Sequence, residues 1–354
     1  MPTWGQQLVE LAQLERGQLP PNTSPVDVLR RKYLARLNAT THRAAIVYAT
    51  PWLENKANDI AGQAMSVNLG DLQGFMETCY EVPEKELDLI ITSPGGSPDA
   101  AESIMAYLRT QFDHIRAVIP VAAMSAATMM ALAADEIVMG AHSQLGPIDP
   151  QFTVMTPEGP RFAPGQAILD QFELAKKQCQ DPANIGAWLP MLRALLPGLL
   201  AQCEASRELA EQSVKKSMET YMFAGNKDGP ALAEAAAKWF ANFNFFKSHA
   251  RRVSRDDARA LQLNVTNLEA DKNLQDAVLS VHHAVRHTFN STAANKIIEN
   301  HNGRAYIEQT QQVVVQVQQQ PPQAPNPPTP PGPLNPPPPA LNRSARRQQG
   351  RKSK

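Results

Sequence analysis

The chain has 354 residues, and its 34 basic side chains balance 34 acidic ones, so no net charge draws it to nucleic acid or an anionic surface. Apolar residues make up 43% and aromatics 6%, the proportions of a soluble domain packed on aliphatic side chains; the length allows one large domain or two small ones. Cys79, Cys179 and Cys203 lack CxxC spacing, which argues against a disulfide framework and for a reducing compartment.

In chain order, residues 2–18 read as an amphipathic helix with Trp4, Leu8, Leu11 and Leu14 on its apolar side. This stretch lacks the apolar core segment of a secretory signal, so a cytoplasmic location is expected. A Pro-rich break separates it from a helix over 26–37, whose Arg30, Arg31, Lys32 and Arg36 read as a solvated basic face. Residues 44–48 form a strand and 69–80 a helix, with Asn68 a candidate cap.

The informative stretch runs over 87–151. Residues 87–92 are a short Ile-rich strand, which ends in the chain reversal Ser93-Pro94-Gly95-Gly96. Ser93 and Ser97 read as turn formers. Pro98 and Asp99 open a helix with Ile104, Met105 and Leu108 on its apolar face. A second buried strand, 115–121, leads into small residues packed around Ser125, then a helix to Ala134 and a strand over 136–139. Residues 117–134 carry no charge, but Pro120, Ser125 and Thr128 interrupt them, and they parse as strand plus buried helix rather than a membrane span. The alternation of strands and helices implies parallel pairing in an α/β fold. A serine at a strand-to-helix junction has backbone N–H groups beside it that could hold an oxyanion.

Further on, residues 152–165 form a loop or hairpin, 166–178 a helix, 189–221 a largely helical stretch broken near Pro197, and 232–246 a helix rich in Trp and Phe that reads as core or interface. Ser254 caps a helix beginning with Arg255, Asp256 and Asp257, a short strand follows, and 273–289 is helical. His282, His283 and His287 share one helical face, but no Cys or carboxylate repeats their spacing, so no metal is expected. Residues 321–339 hold twelve prolines and cannot pack a core, and 343–354 carry six basic residues and no acid. This end reads as a solvated tail that could recruit a partner.

Ser93-Pro94-Gly95-Gly96, the Ala-rich block around Ser125 with its following Ala-Ala-Asp-Glu-Ile-Val-Met, and Leu-Gly-Pro-Ile-Asp-Pro-Gln at 145–151 together resemble the ClpP/crotonase superfamily. The serine block is similar to signal peptide peptidase A. The whole set, with the block at 282–307, resembles the SDH-type Clp-fold serine proteinases over roughly residues 25–305. The resemblance implies a ClpP/crotonase-like α/β spiral of ββα and βαβ units with added N- and C-terminal helices. It implies a nucleophile at Ser125, oxyanion donors at the N–H groups of Gly96 and Ala126, and a homo-oligomer contacted through the helices after residue 165.

The base stays open. The histidine that Clp proteases carry about 25 residues after the serine is missing, and Ile148 and Asp149 stand there instead. A rearranged order would use Ser125, Asp149 and His249. A serine–lysine arrangement would instead use Lys176, Lys177, Lys215 or Lys216 with a pKa lowered by burial.

The expected organisation is a helical extension over 1–40, a proteinase domain over 41–307 and a disordered Gln/Pro-rich basic tail over 308–354. The expected activity is hydrolysis of peptide or protein substrates through an acyl-enzyme on Ser125, with no cofactor. A crotonase-type enzyme acting on acyl-CoA thioesters, with Ser125 structural, and a non-catalytic oligomeric scaffold are the alternatives.

Overall fold

The computed structural model describes residues 3–309 apart from residues 20, 22, 55–61 and 157–158. The readings made for the proline-rich and basic end lie outside the described residues. The chain opens with α1 (Trp4–Leu14), α2 (Pro25–Thr41), β1 (Ala44–Ala49), α3 (Gly62–Met65) and α4 (Asp71–Cys79). The central stretch is β2 (Glu86–Thr92), α5 (Pro98–Gln111), β3 (His114–Ile119), β4 (Ala122–Ala123), α6 (Ala126–Leu132), β5 (Glu136–Met139) and β6 (Gln144–Leu145). An arm follows: the hairpin β7 (Gln151–Thr156) and β8 (Gly159–Pro164), then α7 (Gly165–Gln178), α8 (Ile185–Ala194) and α9 (Leu199–Thr220). The chain returns through α10 (Gly229–Phe240), α11 (Phe243–Phe246), α12 (Arg255–Ala260), β9 (Val265–Asn267), α13 (Lys272–Ser291), β10 (Ala294–Asn300) and β11 (Ala305–Gln309).

The α/β class expected from the sequence is what forms. The main sheet has the order β11-β10-β1-β2-β3-β5-β9. From β1 to β9 neighbouring strands are parallel. Side chains alternate between two cores, as a pleated strand buried on both faces requires. Ile46 and Tyr48 of β1 join Leu89, Ile91, Ile104 and Phe240 on one face, while Ala45 and Val47 join Leu34, Val278 and Val281 on the other.

The parallel pairing expected of the alternating strands holds over that stretch, and the sheet changes direction at its other end. β10 is antiparallel to both β1 and β11, so the sheet is mixed. Nothing in the sequence pattern announced these strands, because β10 reads Asn-Lys-Ile-Ile-Glu-Asn after its first residue, yet every position is buried. Lys296 reaches Asp71 of α4 on one face, and Glu299 reaches Arg30 of α2 on the other, the latter at 2.6 Å. The expected solvated face of α2 is corrected with it: Arg30 is fully buried, while Lys32 and Arg36 stay exposed.

Most local expectations hold in outline. Ser24 and Ser254 each cap a helix through a reciprocal box with the aspartate three residues on. The expected strand over 115–121 divides: β3 ends at Ile119 and β4 leaves the main sheet, so residues 117–134 are strand, short strand and a seven-residue helix. Among the described residues no helix is long and apolar enough to cross a membrane.

A second, smaller ladder positions the site. Ser93 bridges Ala123 in parallel, β4 pairs β6 in parallel, and Leu145 bridges Val253 antiparallel. Each turn of the chain thus sends one strand into the main sheet and one short extension into this ladder, the repeating ββα unit that the resemblance implied.

Candidate active site

Ser125 sits where β4 turns into α6. Its backbone has φ 51° and ψ −120°, a combination outside the left-handed helical well that costs a non-glycine residue about 1–3 kcal/mol. The side chain is half-exposed between buried neighbours Met124 and Ala126. A strained strand-to-helix turn that lifts a serine hydroxyl out of the sheet is the geometry of a nucleophile elbow. Thr128 stitches the turn: its hydroxyl donates to the Ala123 carbonyl at 2.8 Å and accepts the Gly146 N–H at 3.0 Å.

The glycine turn lies against this elbow. A Cβ on Gly95, at φ +94°, would stand 2.4 Å from the Met124 carbonyl oxygen and 2.8 Å from the Ala126 nitrogen. A Cβ on Gly96, at φ +156°, would stand 2.4 Å from the Val67 carbonyl oxygen. Both positions therefore need glycine for space as well as for torsion. Among the described residues neither the Gly96 N–H nor the Ala126 N–H donates a hydrogen bond. The flanking serines act as turn formers: Ser93 Oγ accepts from Gly95 N–H at 3.2 Å, and Ser97 caps α5.

His249 and Asp149, one hundred residues apart, meet with Nδ1 and Oδ1 at 2.8 Å. The small ladder explains why. Leu145 faces Val253 in antiparallel register. Asp149 lies four residues after the first and His249 four before the second, so continuing the register sets them opposite each other. Asp149 is 3% exposed, and its other oxygen accepts from Gln151 Nε2 at 2.7 Å. An ionised carboxylate can only accept, so with Asp149 ionised this contact takes its proton from Nδ1, and in the neutral ring that tautomer leaves Nε2 able to accept. Among the described residues no hydrogen bond joins His249 to the Ser125 hydroxyl.

The four lysines lie elsewhere in character. Lys176 is exposed and paired with Glu173 on its own helix at 2.8 Å, and Lys177 is exposed beside it. Lys215 pairs with Glu234 at 3.0 Å, and that hydrogen bond pushes its pKa up, away from what a base needs. Lys216 is exposed at the rim of a cavity of about 200 Å³ between α5 and α9. On α13, His287 stacks on Trp4 with ring centroids 3.7 Å apart, and His282 is buried, which pushes its pKa down to about 3. Among the described residues no group of three His, Cys, Asp or Glu side chains is placed to hold a metal ion.

Residues 69–178 match the family model of the ClpP-like SDH-type serine proteinases. The match spans 110 of the chain's 354 residues, less than a third of its length. The segment contains the glycine turn, Ser125, Asp149 and Gln151; His249 lies beyond it. Two uncharacterized proteins of Methanocaldococcus jannaschii are 46% and 37% identical over 86 residues. Each alignment covers 24% of this chain and 30% of the relative, so the chain spans under a third of the curated relatives it matches. A solved mutant of a membrane-bound stomatin-specific protease, 1510-N, is 16% identical with a TM-score of 0.26, covering 33% of this chain and 59% of that one.

Sequence reasoning read both glycines as turn residues and gave a site role to Gly96 alone; that Gly95 packs on the elbow is visible only in the fold. That reasoning passed over Gln151, which stood inside the quoted motif; only the fold reveals that this amide turns back onto Asp149.

Proposed function

We propose that the chain is a serine peptidase in which Ser125 is the nucleophile, His249 the general base and Asp149 the group that orients the ring. The observation that carries this reading is the Asp149–His249 pair, with Asp149 following β6, the strand paired to the β4 that ends in the strained serine elbow. Nε2 of His249 takes the proton as Ser125 Oγ attacks the scissile carbonyl. The N–H groups of Gly96 and Ala126 hold the oxyanion that forms. The imidazolium then protonates the leaving amine, an acyl-serine remains, and water deacylates it by the same base. The absent contact between Oγ and the ring is in keeping with an unbound site, where catalytic hydrogen bonds are long until substrate closes them. A lysine base fits poorly, because the four candidates lie half-exposed or exposed, two of them in ion pairs with glutamates.

The substrates on this reading are peptides or proteins, and the enzyme works as a homo-oligomer in a reducing compartment. Self-association is supported by the arm, where Met155, Phe162 and Leu196 are 73%, 79% and 73% exposed. The compartment is supported by three free cysteines.

The test is the labelling rate with a fluorophosphonate probe. Ser125→Ala abolishes labelling. His249→Ala and Asp149→Asn slow it by on the order of 10³–10⁴, and Lys→Met at 176, 177, 215 or 216 leaves it within twofold. Undiminished labelling of Ser125→Ala would sink the reading; loss of labelling in one lysine variant, with His249→Ala unaffected, would replace the base.

A further inference from the structure

The glycine turn is held by a short backbone segment that the chemistry of Ser125 does not account for. Val67 bridges Gly96 in parallel. Its N–H donates to the Gly95 carbonyl at 2.8 Å, and its carbonyl accepts the Ser97 N–H at 2.9 Å. Gly96 is thus pinned from both sides, while its own N–H donates to none of the described residues. The peptide groups flanking Val67 are pinned in turn. The Ser66 carbonyl accepts from Lys296 Nζ at 3.1 Å, and the Asn68 N–H donates to Asp71 Oδ2 at 3.0 Å. Lys296 and Asp71 are paired with each other, and both side chains are wholly buried. Tyr48 Oη donates to the same Asp71 oxygen at 2.7 Å, and Glu308 lies 3.9 Å from Lys296 at the edge of the cluster.

We propose that the buried Lys296–Asp71 pair, with Tyr48, is a positioning element for the active site, which fixes the Gly96 N–H as an oxyanion donor by clamping the Ser66–Asn68 backbone. This rests on the reading of Ser125 and Gly96 given above. A buried ion pair is a weak source of stability, since a well-packed apolar pair in its place is often as stable or more so. What this pair does that two apolar side chains could not is satisfy the Ser66 carbonyl and the Asn68 N–H at once. Glycine holds no torsion by itself, so a donor on Gly96 needs outside restraint. Oxyanion donors contribute when they are aimed before the reaction begins. The restraint comes from Lys296 of β10, 171 residues beyond Ser125 in the sequence. Lys296, Asp71 and Tyr48 touch no substrate on this proposal; they act through Val67.

The experiment replaces both charges, Lys296→Met with Asp71→Leu, in the full chain. It reads three quantities: melting temperature, fluorophosphonate labelling rate at Ser125, and local amide hydrogen exchange by mass spectrometry. The expected result is labelling slowed at least tenfold in a folded variant, with faster exchange confined to residues 66–68 and 95–97. Tyr48→Phe, which removes one oxygen and keeps the ring stacked on Phe75, carries the test if the double variant does not fold; it slows labelling two- to tenfold with the same exchange pattern. A folded variant labelled within twofold of wild type overturns the proposal and leaves the Ser125 reading standing. Slower labelling that recovers at a temperature where the variant is fully folded also overturns it, since that is a stability effect alone. Wild type unlabelled at Ser125 defeats the underlying reading, and this one with it.

Discussion

The two ends of the main sheet bury their strands by opposite means. From β1 to β5 the buried positions are mainly Ile, Leu, Val and Ala, and the core on each face is apolar. At β10, equally buried, one face carries Lys296 and the other Glu299, each matched by a charge from a helix packed over it. Apolar burial is non-directional and tolerates repacking; a buried ion pair demands one geometry and one partner. The parallel end therefore supplies a stable platform for the Ser125 elbow, while the antiparallel end specifies where α2 and α4 must lie. The one buried charge of the parallel strands, Asp88, sits between Arg43 and Arg116 near the ends of β2 and β3, where the arginines still reach solvent.

The sharpest way to break the comparison is to remove one charge. Lys296→Met strands Asp71 in the core, and about 3–5 kcal/mol of stability should be lost, read as a fall in the midpoint of denaturant unfolding. Adding Asp71→Leu should restore most of it. The apolar end should behave otherwise: Leu89→Ala costs about 2–5 kcal/mol through the cavity it leaves, with no single compensating change. Equal responses to the second substitution at both ends would erase the distinction.

Next in size is acid. His282 is buried among Arg286, His283 and His142, with burial the larger cause of its lowered pKa. Its folded pKa of about 3 lies below the 6.5 of the free group, so below pH 6.5 the unfolded chain takes up a proton that the native chain refuses. Stability is full above pH 6.5 and falls as pH drops toward 3, by up to about 1.4 kcal/mol per unit. His282→Leu should flatten that slope, measured as unfolding midpoints between pH 7 and 5; an unchanged slope would assign it elsewhere. His287, lowered mainly by burial against Trp4, adds in the same direction.

Gly95→Ala tests the elbow rather than the sheet. The new methyl meets the Met124 carbonyl and the strained torsion together, so about 1–3 kcal/mol of stability and nearly all probe labelling should be lost. The smallest effect is expected at Lys176→Met, within about 0.5 kcal/mol, since an exposed pair on one helix contributes little.

What could be read in advance follows the same divide. Strands of β-branched and aliphatic residues, serine-capped helices and a Pro-Gly-Gly reversal announce themselves, because burial, capping and turn torsion are local demands on residue type. That made β2, β3, β5, α5 and the place of Ser125 legible, and the family motifs lay there too. The sequence left the Asp149–His249 pairing as one alternative beside a lysine, because the two side chains are brought together by the register of Val253 against Leu145, a pairing with no local signature. Arg30 misled for the same reason, and Lys296 and Glu299 gave no sign of their buried strand: a charged side chain reads as solvated until its counter-charge, more than two hundred residues away, is seen beside it. The sequence by itself determined the α/β class, the elbow and the glycine turn, since short-range sterics and hydrophobic pattern suffice for them. The direction of β10, the clamp on Val67 and the partner of Asp149 were decided only by the tertiary structure, because each depends on pairing polar groups that the chain holds far apart.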